Sequence, residues 1–581
     1  MRASRSAPWL TCTLALALVA ALRPAWPAAE TRPWTTITLS IVSTTDLHGF
    51  AFARDDRGGL ALLAGYVNNL RAARAADGGS VLLVDAGDTF QGGIESNLSE
   101  GAILVDAFNA MGYTAAAVGN HEFDFGAVDL PGAREDAGAD PHGALEARAA
   151  QAHYPFLAAN LLDAHTGRRV AWPNVRASTL VEANGTTIGL IGVMTAAGLR
   201  STLAPNVAGL ALAPLAPTIA DEANALRAAG ATAVVVLAHA GGSCSRFDDP
   251  LDLASCDRSA EIFDVARALP RGLVDVIAAG HTHDALAHVV NGIAIVQAYP
   301  FGRAFARADV TVDARTHRVL EVKPFAPQEI CAYQRASNDA TCVDAAAGTV
   351  RASYEGRPVQ ADPAVVEAMA PGLDRVRRLR AAELGVTVDL PLPRAGGPES
   401  ALGNLFADAL RESSGADVVI SGVRALRADL LSGPLTFGAV YDVFPFDNRL
   451  LRLQVTGADL KRVIRDELAR GRAGTLAVSG VQVEASCIDG RVDVAIARAG
   501  QPVGDGEVLA LAGIDSPVPG PALAALRSSA LGPPAAAPLV REVVEDWLRS
   551  RSGRLSADAF TNRLRPRWTY GGSAPPGCAA R

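Results

Sequence analysis

The chain has 581 residues, of which 49% are hydrophobic and 20% are charged, and its formal net charge is −8. One hydrophobic core stops growing at roughly 250–300 residues, so a single-domain protein is excluded and we expect two domains. The acidic balance does not favour nucleic acid as a partner, and no stretch beyond the N-terminus is long and apolar enough to cross a membrane.

The N-terminus has the pattern of a targeting segment. Arg2 and Arg5 precede an apolar run from Leu10 to Leu22. That run is shorter than the ~20 residues that span a bilayer, and it has the length of a signal-peptide core. We therefore predict a signal peptide over residues 1–29, a periplasmic or secreted protein, and no stable membrane anchor. An uncleaved anchor is the alternative, and two cleavage points, after Ala21 or near Ala28, fit the small-residue rule.

Export makes disulfides the expected state of the cysteines. Six remain when Cys12 is removed with the apolar run. Short loops favour the pairs Cys244–Cys256 and Cys331–Cys342, which leaves Cys487 with Cys578. None of the six lies in a CxxC pattern, so a cysteine-based zinc site is not expected.

Between residues 35 and 325, short apolar runs alternate with helical stretches such as 60–76 and 217–230. Near-continuous Val, Ile, Leu and Ala is typical of strands buried on both faces, and the helices between them indicate crossover connections. We predict a layered α/β domain. Its runs are ITLSIVSTTD, VLLVDAGD, AAAVGNHEFD, GLIGVMT, AVVVLAHAGG and VDVIAAGHTHD.

The second half of the chain predicts a connector and a smaller α/β domain. Residues 326–384 are irregular at first and end in a helical stretch from 362 to 384, which we expect Pro371-Gly372 to interrupt. A second domain is expected over 385–570, and a loose tail over 571–581. Its strands include DVVIS and LLRLQVT, its helices lie near 402–413, 458–470 and in PLVREVVEDWLRSR, and 532–538 is a loop.

Polar side chains follow the strands of the first domain directly, where each strand ends. Carboxyl ends of parallel strands share one edge of a sheet, so these groups should meet in space. A single histidine after a strand is more often a surface residue, but five histidines with three acids and an asparagine indicate a metal centre. Asp and His together suit zinc, manganese or iron, and the count exceeds the roughly four ligands of one tetrahedral ion. The residues are Asp46, His48, Asp88, Asn120, His121, Asp124, His239, His281 and His283.

In this order, the motifs DxH, GDxxxG, GNHE, H and GHTH resemble those of the calcineurin-like metallophosphoesterases. The variants TTDLHG and GNHEFD, with a second domain of this size, are similar to the 5′-nucleotidase family among them, of the bifunctional UDP-sugar hydrolase/5′-nucleotidase type. The resemblance implies a layered αββα metallophosphoesterase domain followed by a smaller α/β substrate-binding domain.

The resemblance also implies roles for individual residues. Asp46, His48 and His283 would bind one divalent ion, and Asn120, His239 and His281 the other, with Asp88 bridging both. Zinc or manganese is expected. Such a pair of ions activates water for attack on phosphorus. His121 would act near the leaving group without binding metal, with Asp124 orienting its ring, and Asp85 would be structural.

The C-terminal domain resembles the family less closely. PESALGNLFADAL, GPLTFGAVYDVFPFDN and VTGADLKRVI match family segments, and the resemblance implies that Phe446 stacks the base and Arg427 meets the phosphate, with Arg394 as a second phosphate arginine. However, SGVRALRAD replaces the family's N-x-G-G-I-R, and VLALAGIDSPVPGPAL replaces its GGDGF turn. These departures leave base specificity open.

The leading prediction is an exported dimetal phosphoester hydrolase that converts nucleotides to nucleoside and phosphate. One alternative keeps the centre and changes the substrate to a cyclic nucleotide, a sugar phosphate or a thiosulfate ester. A non-enzyme alternative is a ligand-binding protein with a relic metal site, which the complete set of ligand positions disfavours. The oligomeric state is left open.

Overall fold

The structure is a computed structural model that describes residues 34–53, 57–128, 140–202, 204–335, 342–346, 348–394, 399–446, 448–469, 476–488, 491–514, 537–551, 553–562 and 564–571. The predicted signal peptide, most of the loop at 532–538, Cys578 and all but the first residue of the predicted tail lie outside these ranges. Within them, none of the helices combines the length and apolar character that a bilayer crossing requires.

The first domain is built on two sheets. Seven strands form one sheet in the spatial order Val319–Glu329, Ala304–Asp313, Thr36–Thr44, Ser80–Asp85, Ala115–Ala117, Phe156–Leu157 and Val175–Arg176. Six form the other, in the order Leu286–Val290, Ile293–Gln297, Val276–Ala279, Ala233–His239, Thr186–Met194 and Ser178–Ala183. The central strands of each sheet run parallel. The strands Ala304–Asp313 and Val319–Glu329 of the first sheet, and Leu286–Val290 and Ser178–Ala183 of the second, are antiparallel to their neighbours, whereas the edge strand Val175–Arg176 is parallel.

The two sheets pack face to face, with helices on both outer faces. Alternate residues of the strands, such as Leu39, Leu82 and Val235, meet in one buried cluster between the sheets. The helices Leu60–Ala76 and Ala102–Met111 cover the first sheet, and Leu215–Ala228 and Glu261–Ala268 cover the second. This is the predicted αββα layering, and it explains why the predicted strands read as continuous apolar runs: both of their faces are buried.

The connector contains one continuous helix, Pro363–Arg380, so the predicted interruption at Pro371-Gly372 is wrong. A proline inside a helix normally breaks it, because one backbone hydrogen bond is lost. Here tertiary packing outweighs that loss: a Cβ at Gly372 would lie only 2.5 Å from Cγ1 of Ile103. The helix therefore packs tightly against the helix Ala102–Met111. The predicted end of the stretch, near Leu384, belongs to a strand, Glu383–Val388.

The described residues of the second domain form three small sheets. Their strands, in spatial order, are Gly433–Thr436, Glu383–Val388 and Gly553–Leu555; Leu450–Thr456, Val508–Ile514, Val418–Gly422 and Leu476–Ser479; and Gln501–Pro502, Arg491–Arg498, Gln482–Ile488 and Trp568–Gly571. In the described part of this domain, the α-helices are Ala401–Ser414, Phe437–Val443, Gly457–Ala469, Val540–Arg549 and Ala557–Phe560. The predicted strands DVVIS and LLRLQVT and the predicted helices all occur.

Shorter elements complete the first domain and the connector. The helices are Ile94–Asn97, Gly143–Gln151 and Ala196–Ser201, and the paired short strands are Leu161–Asp163 with Leu210–Leu212, Tyr333–Arg335 with Thr349–Arg351, and Ser353–Tyr354 with Arg357–Pro358. Disulfides join Cys244 to Cys256 and Cys331 to Cys342, as the short loops predicted. Cys487 is also disulfide-bonded.

Candidate metal centre

The predicted metal ligands meet where parallel strands of both sheets end. Asp46 and His48 follow the strand Thr36–Thr44, Asp88 follows Ser80–Asp85, and Asn120 follows Ala115–Ala117. From the second sheet, His239 ends the strand Ala233–His239, and His281 and His283 follow Val276–Ala279. The face-to-face packing of the sheets brings the two sets of strand ends together.

The side chains form two groups that share Asp88. In the first, Asp46, His48, Asp88 and His283 each place one ligand atom within 4.8 Å of the others, and in the second Asp88, His239 and His281 do the same. Nε2 of His48 lies 2.9 Å from Nε2 of His283, which lies 3.4 Å from Oδ1 of Asp46. Nε2 of His239 lies 3.1 Å both from Oδ2 of Asp88 and from Oδ1 of Asn120. All seven predicted ligands are therefore brought together.

Hydrogen bonds aim two histidine rings at these groups. Nδ1 of His48 lies 2.9 Å from the carbonyl oxygen of Gln91, and Nδ1 of His239 lies 3.0 Å from that of Ala86. A carbonyl oxygen only accepts, so each Nδ1 carries a proton and each Nε2 is the ring atom that faces the ligand groups. Burial lowers the pKa of His48 to about 4, which keeps its ring neutral at pH 7.

The pKa shifts of the histidines in the second group also indicate a site for a cation. Burial, reinforced by His239, lowers the pKa of His281 to about 4, so its imidazole is also a neutral donor. For His239, burial opposes protonation, but the Asp88 carboxylate prevails and raises its pKa to about 9. Asp46, Asp88 and His239 are at most 1% exposed. Converging lone pairs and buried carboxylates are the donor set that divalent ions such as zinc or manganese bind, so the residues present fit two ions.

The backbone at the ligands is strained. Positive φ angles occur at five of them, a conformation that residues other than glycine rarely adopt: Asp46 (51°), His48 (48°), Asp88 (59°), His281 (77°) and His283 (57°). Gly87 also has a positive φ, 95°, and a Cβ there would in addition lie 2.9 Å from Nδ1 of His239. Strained turns of this kind persist only where the surrounding contacts determine them, and they cluster at functional sites.

A buried glutamate holds the turn that carries Asp88. The Glu122 carboxylate is fully buried and accepts hydrogen bonds from the backbone N–H groups of Asp88 (2.9 Å), Thr89 (2.6 Å) and Gly119 (2.7 Å). A fourth, longer bond comes from the N–H of Phe90 at 3.3 Å. Sequence reasoning assigned Glu122 no role, although its position in GNHE was a signal that could have been followed.

Asp85 supports the same turn from the strand end, as expected of a structural acid. Its Oδ1 accepts from the N–H of Gly87 at 2.8 Å and from Oγ1 of Thr89 at 2.9 Å, and its Oδ2 accepts from Oγ1 of Thr44 at 2.6 Å. Burial raises its pKa to about 7. The two acids of VLLVDAGD thus have different surroundings: Asp85 binds one backbone N–H and two threonine hydroxyls, and Asp88 faces the ligand groups.

His121 and Asp124 form a pair beside the centre. Nδ1 of His121 donates to Oδ2 of Asp124 at 2.5 Å, while its Nε2 lies 4.0 Å from Oδ2 of Asp88. Burial lowers the pKa of His121, but the Asp124 carboxylate outweighs it and raises the pKa to about 10. Its side chain is 31% exposed, more than that of His48. His121 is thus a protonated, accessible group next to the ligand cluster.

The predicted substrate residues of the second domain also lie together. The Arg427 guanidinium carbon is 5.0 Å from the centre of the half-buried Phe446 ring. Nη1 of Arg394 donates to the carbonyl oxygen of Arg427 at 2.5 Å, so Arg394 supports the Arg427 loop. Most of the stretch that replaces the GGDGF turn lies outside the described residues.

Comparisons with known proteins agree with this architecture. The sequence model described as calcineurin-like phosphoesterase matches residues 39–285, and the one described as 5′-nucleotidase, C-terminal domain matches residues 381–508. These two ranges contain all seven predicted metal ligands and the three predicted substrate residues.

Individual relatives are distant. The chain is 26% identical over 484 residues to Protein UshA of Yersinia enterocolitica, covering 78% of this chain and 80% of that protein. It is 26% identical over 460 residues to Endonuclease YhcR of Bacillus subtilis, covering 78% of this chain but only 34% of that protein. The crystal structure of a 5′-nucleotidase precursor from Thermus thermophilus shares the fold, with a TM-score of 0.54 at 22% identity over 89% of this chain and 97% of that one. With both domains in this order and the ligand groups complete, the chain belongs to the 5′-nucleotidase family of the calcineurin-like metallophosphoesterases.

Proposed function

We propose that this chain is an exported, metal-dependent phosphoester hydrolase that cleaves nucleotides to nucleoside and phosphate. The observation that carries the proposal is the pair of ligand groups sharing Asp88. Asp46, His48 and His283 would hold one divalent ion, and Asn120, His239 and His281 the other, with zinc or manganese as the expected metals. Bound ions of this kind supply positive charge to the phosphate oxygens and make water more acidic.

The chain's own residues provide the rest of the chemistry. Nδ1–H of His121 donates a hydrogen bond to Asp124, so Nε2 is the ring atom directed towards the centre. A protonated imidazole there stabilises negative charge on the phosphate and gives its proton to the departing oxygen. The ring of Phe446 stacks a nucleobase, and Arg427 meets the phosphate with its guanidinium group.

An activity screen of the purified protein tests this assignment. Nucleoside 5′-monophosphates, cyclic nucleotides, sugar phosphates and a thiosulfate ester are offered with zinc, with manganese and after chelation. We expect nucleoside monophosphates to be cleaved fastest and chelation to abolish the reaction. The Asp88→Ala variant serves as the inactive control, because it disturbs both groups.

Two results would count against the proposal. Full activity in metal-free protein would exclude the metal centre as the catalytic site. A preference for a cyclic nucleotide, a sugar phosphate or a thiosulfate ester would keep the centre and replace the substrate assignment.

A further inference from the structure

A buried hydrogen bond joins the two domains next to both candidate sites. Nδ2 of Asn97, in the first domain, donates to Oη of Tyr441, in the second, at 2.6 Å. Asn97 is 8% exposed and Tyr441 only 1%, and Tyr441 belongs to the same buried cluster as Ile94 of the first domain. A hydrogen bond in such surroundings is costly to leave unmade.

On the first-domain side, Asn97 is tied to the turn that holds a predicted metal ligand. Its Oδ1 accepts from the N–H of Gly92 at 2.8 Å. The neighbouring Gly93 donates its N–H to the carbonyl oxygen of His48 at 2.7 Å, and the carbonyl of Gln91 accepts from the His48 ring. One amide side chain therefore contacts both Tyr441 and the backbone segment that orients His48.

On the second-domain side, Tyr441 is tied to the predicted base-stacking residue. The guanidinium carbon of Arg541 lies 4.5 Å from the centre of the Tyr441 ring, and Nη1 of Arg541 donates to the carbonyl oxygen of Phe446 at 3.2 Å. Arg541 is 9% exposed. Two residues beyond Tyr441, the carbonyl of Val443 accepts from the N–H of Arg427 at 2.8 Å.

We infer that Tyr441 is a positioning residue, which sets the placement of Phe446 relative to the metal centre through its bond to Asn97. The partly exposed ion pairs beside it, from Arg380 to Asp442 (2.8 Å) and to Glu95 (3.9 Å), are screened by solvent and contribute less. The inference rests on the proposed function, because Phe446 acts on the substrate only if that substrate carries a base.

The test is Tyr441→Phe, which keeps the ring and removes the hydroxyl. The kcat/KM for a nucleoside 5′-monophosphate should fall about three- to tenfold, the effect of one buried hydrogen bond, and mainly through KM. A small aryl phosphate has no base to place, so its kcat/KM should stay within about twofold. The matched control is Tyr66→Phe, which removes a buried hydroxyl of the first domain that donates to the carbonyl of Cys331 in the connector.

A second measurement is independent of activity. Amide hydrogen exchange should become faster in Tyr441→Phe across both Ile94–Asn97 and Phe437–Val443, and should stay unchanged there in Tyr66→Phe. Metal content should equal that of the parent protein in both variants.

Other outcomes overturn the inference. Equal losses on both substrates, or loss of metal, would make Tyr441 a stability or metal-site residue. Unchanged exchange in both segments would mean that the bond does not hold the domains, and an improved nucleotide KM would mean that it holds them in a non-binding arrangement. If the parent protein cleaves aryl phosphate but no nucleotide, the proposed function fails, and the exchange experiment still decides whether Tyr441 fixes the contact.

Discussion

Asp88 depends on Glu122 for its position, although Glu122 is not among the predicted ligands. Four backbone N–H groups converge on the Glu122 carboxylate, and two of them belong to Asp88 and Thr89. The turn therefore depends on a side chain that accepts hydrogen bonds at both oxygens.

Glu122→Gln should weaken metal binding without unfolding the protein. The glutamine amide places a donor where one oxygen accepted backbone N–H groups, so the Asp88 turn shifts. We expect kcat/KM to fall about 10- to 100-fold and metal affinity to fall with it, as for other groups that orient ligands. Elemental analysis and kinetics measure this, with the exposed Glu367→Gln as control. Parent-like metal content and activity would show that the Asp88 turn does not need the hydrogen bonds to Glu122.

His121→Ala should keep both ions while kcat falls by ~10²–10⁴, because the variant loses a proton donor and no ligand. Asp124→Asn should have a smaller effect of the same kind, since asparagine holds the ring without the charge that keeps it protonated. Metal analysis accompanies the kinetics. If His121→Ala binds only one ion, then His121 is a ligand and the division of roles is wrong.

Phe446→Ala and Arg427→Ala should separate base binding from phosphate binding. Phe446→Ala should raise KM for nucleotides by about 5- to 100-fold, the range of one stacking contact, and leave a small aryl phosphate nearly unchanged. Arg427→Ala should impair both substrates, because both carry a phosphate. Steady-state kinetics with a nucleotide and with an aryl phosphate measures both effects. No change in a folded Phe446→Ala variant would make Phe446 a core residue and favour a different phosphoester.

At the scale of elements, the close approach of the two sheets depends on a small residue. Gly192, on the strand Thr186–Met194, faces the strand Phe156–Leu157 of the other sheet. A Cβ at Gly192 would lie 2.2 Å from the carbonyl oxygen of Leu157 and 2.4 Å from its Cβ. Neither neighbour is the flexible end of a side chain, so the strands themselves would have to move.

Gly192→Ala should therefore lower the free energy of unfolding by about 1–3 kcal/mol, the usual range for overpacking a close-packed interior. Urea denaturation measures the change. Gly506→Ala is the control, since nothing lies within 4 Å of a Cβ at that position. Equal stability of the two variants would show that the sheets separate at little cost.

At the scale of the whole molecule, we expect metal binding to raise the free energy of unfolding. The ligands come from five strand ends in two sheets, so the complete site exists only in the folded chain. A ligand that binds only the folded state stabilises it, by about 4 kcal/mol when the free ion is about 1,000 times Kd.

Chelation should therefore abolish hydrolysis and lower Tm by several degrees, and adding zinc or manganese should restore both. Differential scanning calorimetry with and without chelator measures the shift. Asp88→Ala should be the most damaging single ligand change and should show little metal-dependent shift, because Asp88 belongs to both groups. A parent Tm that is indifferent to chelation would contradict metal binding at this site.

Local patterns were sufficient for much of the architecture. Apolar runs predicted the strands that carry the ligands, because strands buried on both faces need continuous hydrophobic residues. The short loops at Cys244–Cys256 and Cys331–Cys342 predicted two disulfides. The position of the polar residues, directly after the predicted strands, also predicted that they meet at one edge. Their division between two ions came from the family resemblance.

By itself, the sequence determined which residues stand at the strand ends and hence the chemistry available to the centre. Only the tertiary structure decided the distant contacts. These are the hydrogen bonds of Glu122 to the Asp88 turn, the packing that keeps the helix unbroken at Pro371, and the bond between Asn97 and Tyr441, 344 residues apart. The reason is physical. Hydrophobic periodicity and turn residues act over a few positions, whereas a buried hydrogen bond between distant segments depends on how complete layers and domains pack.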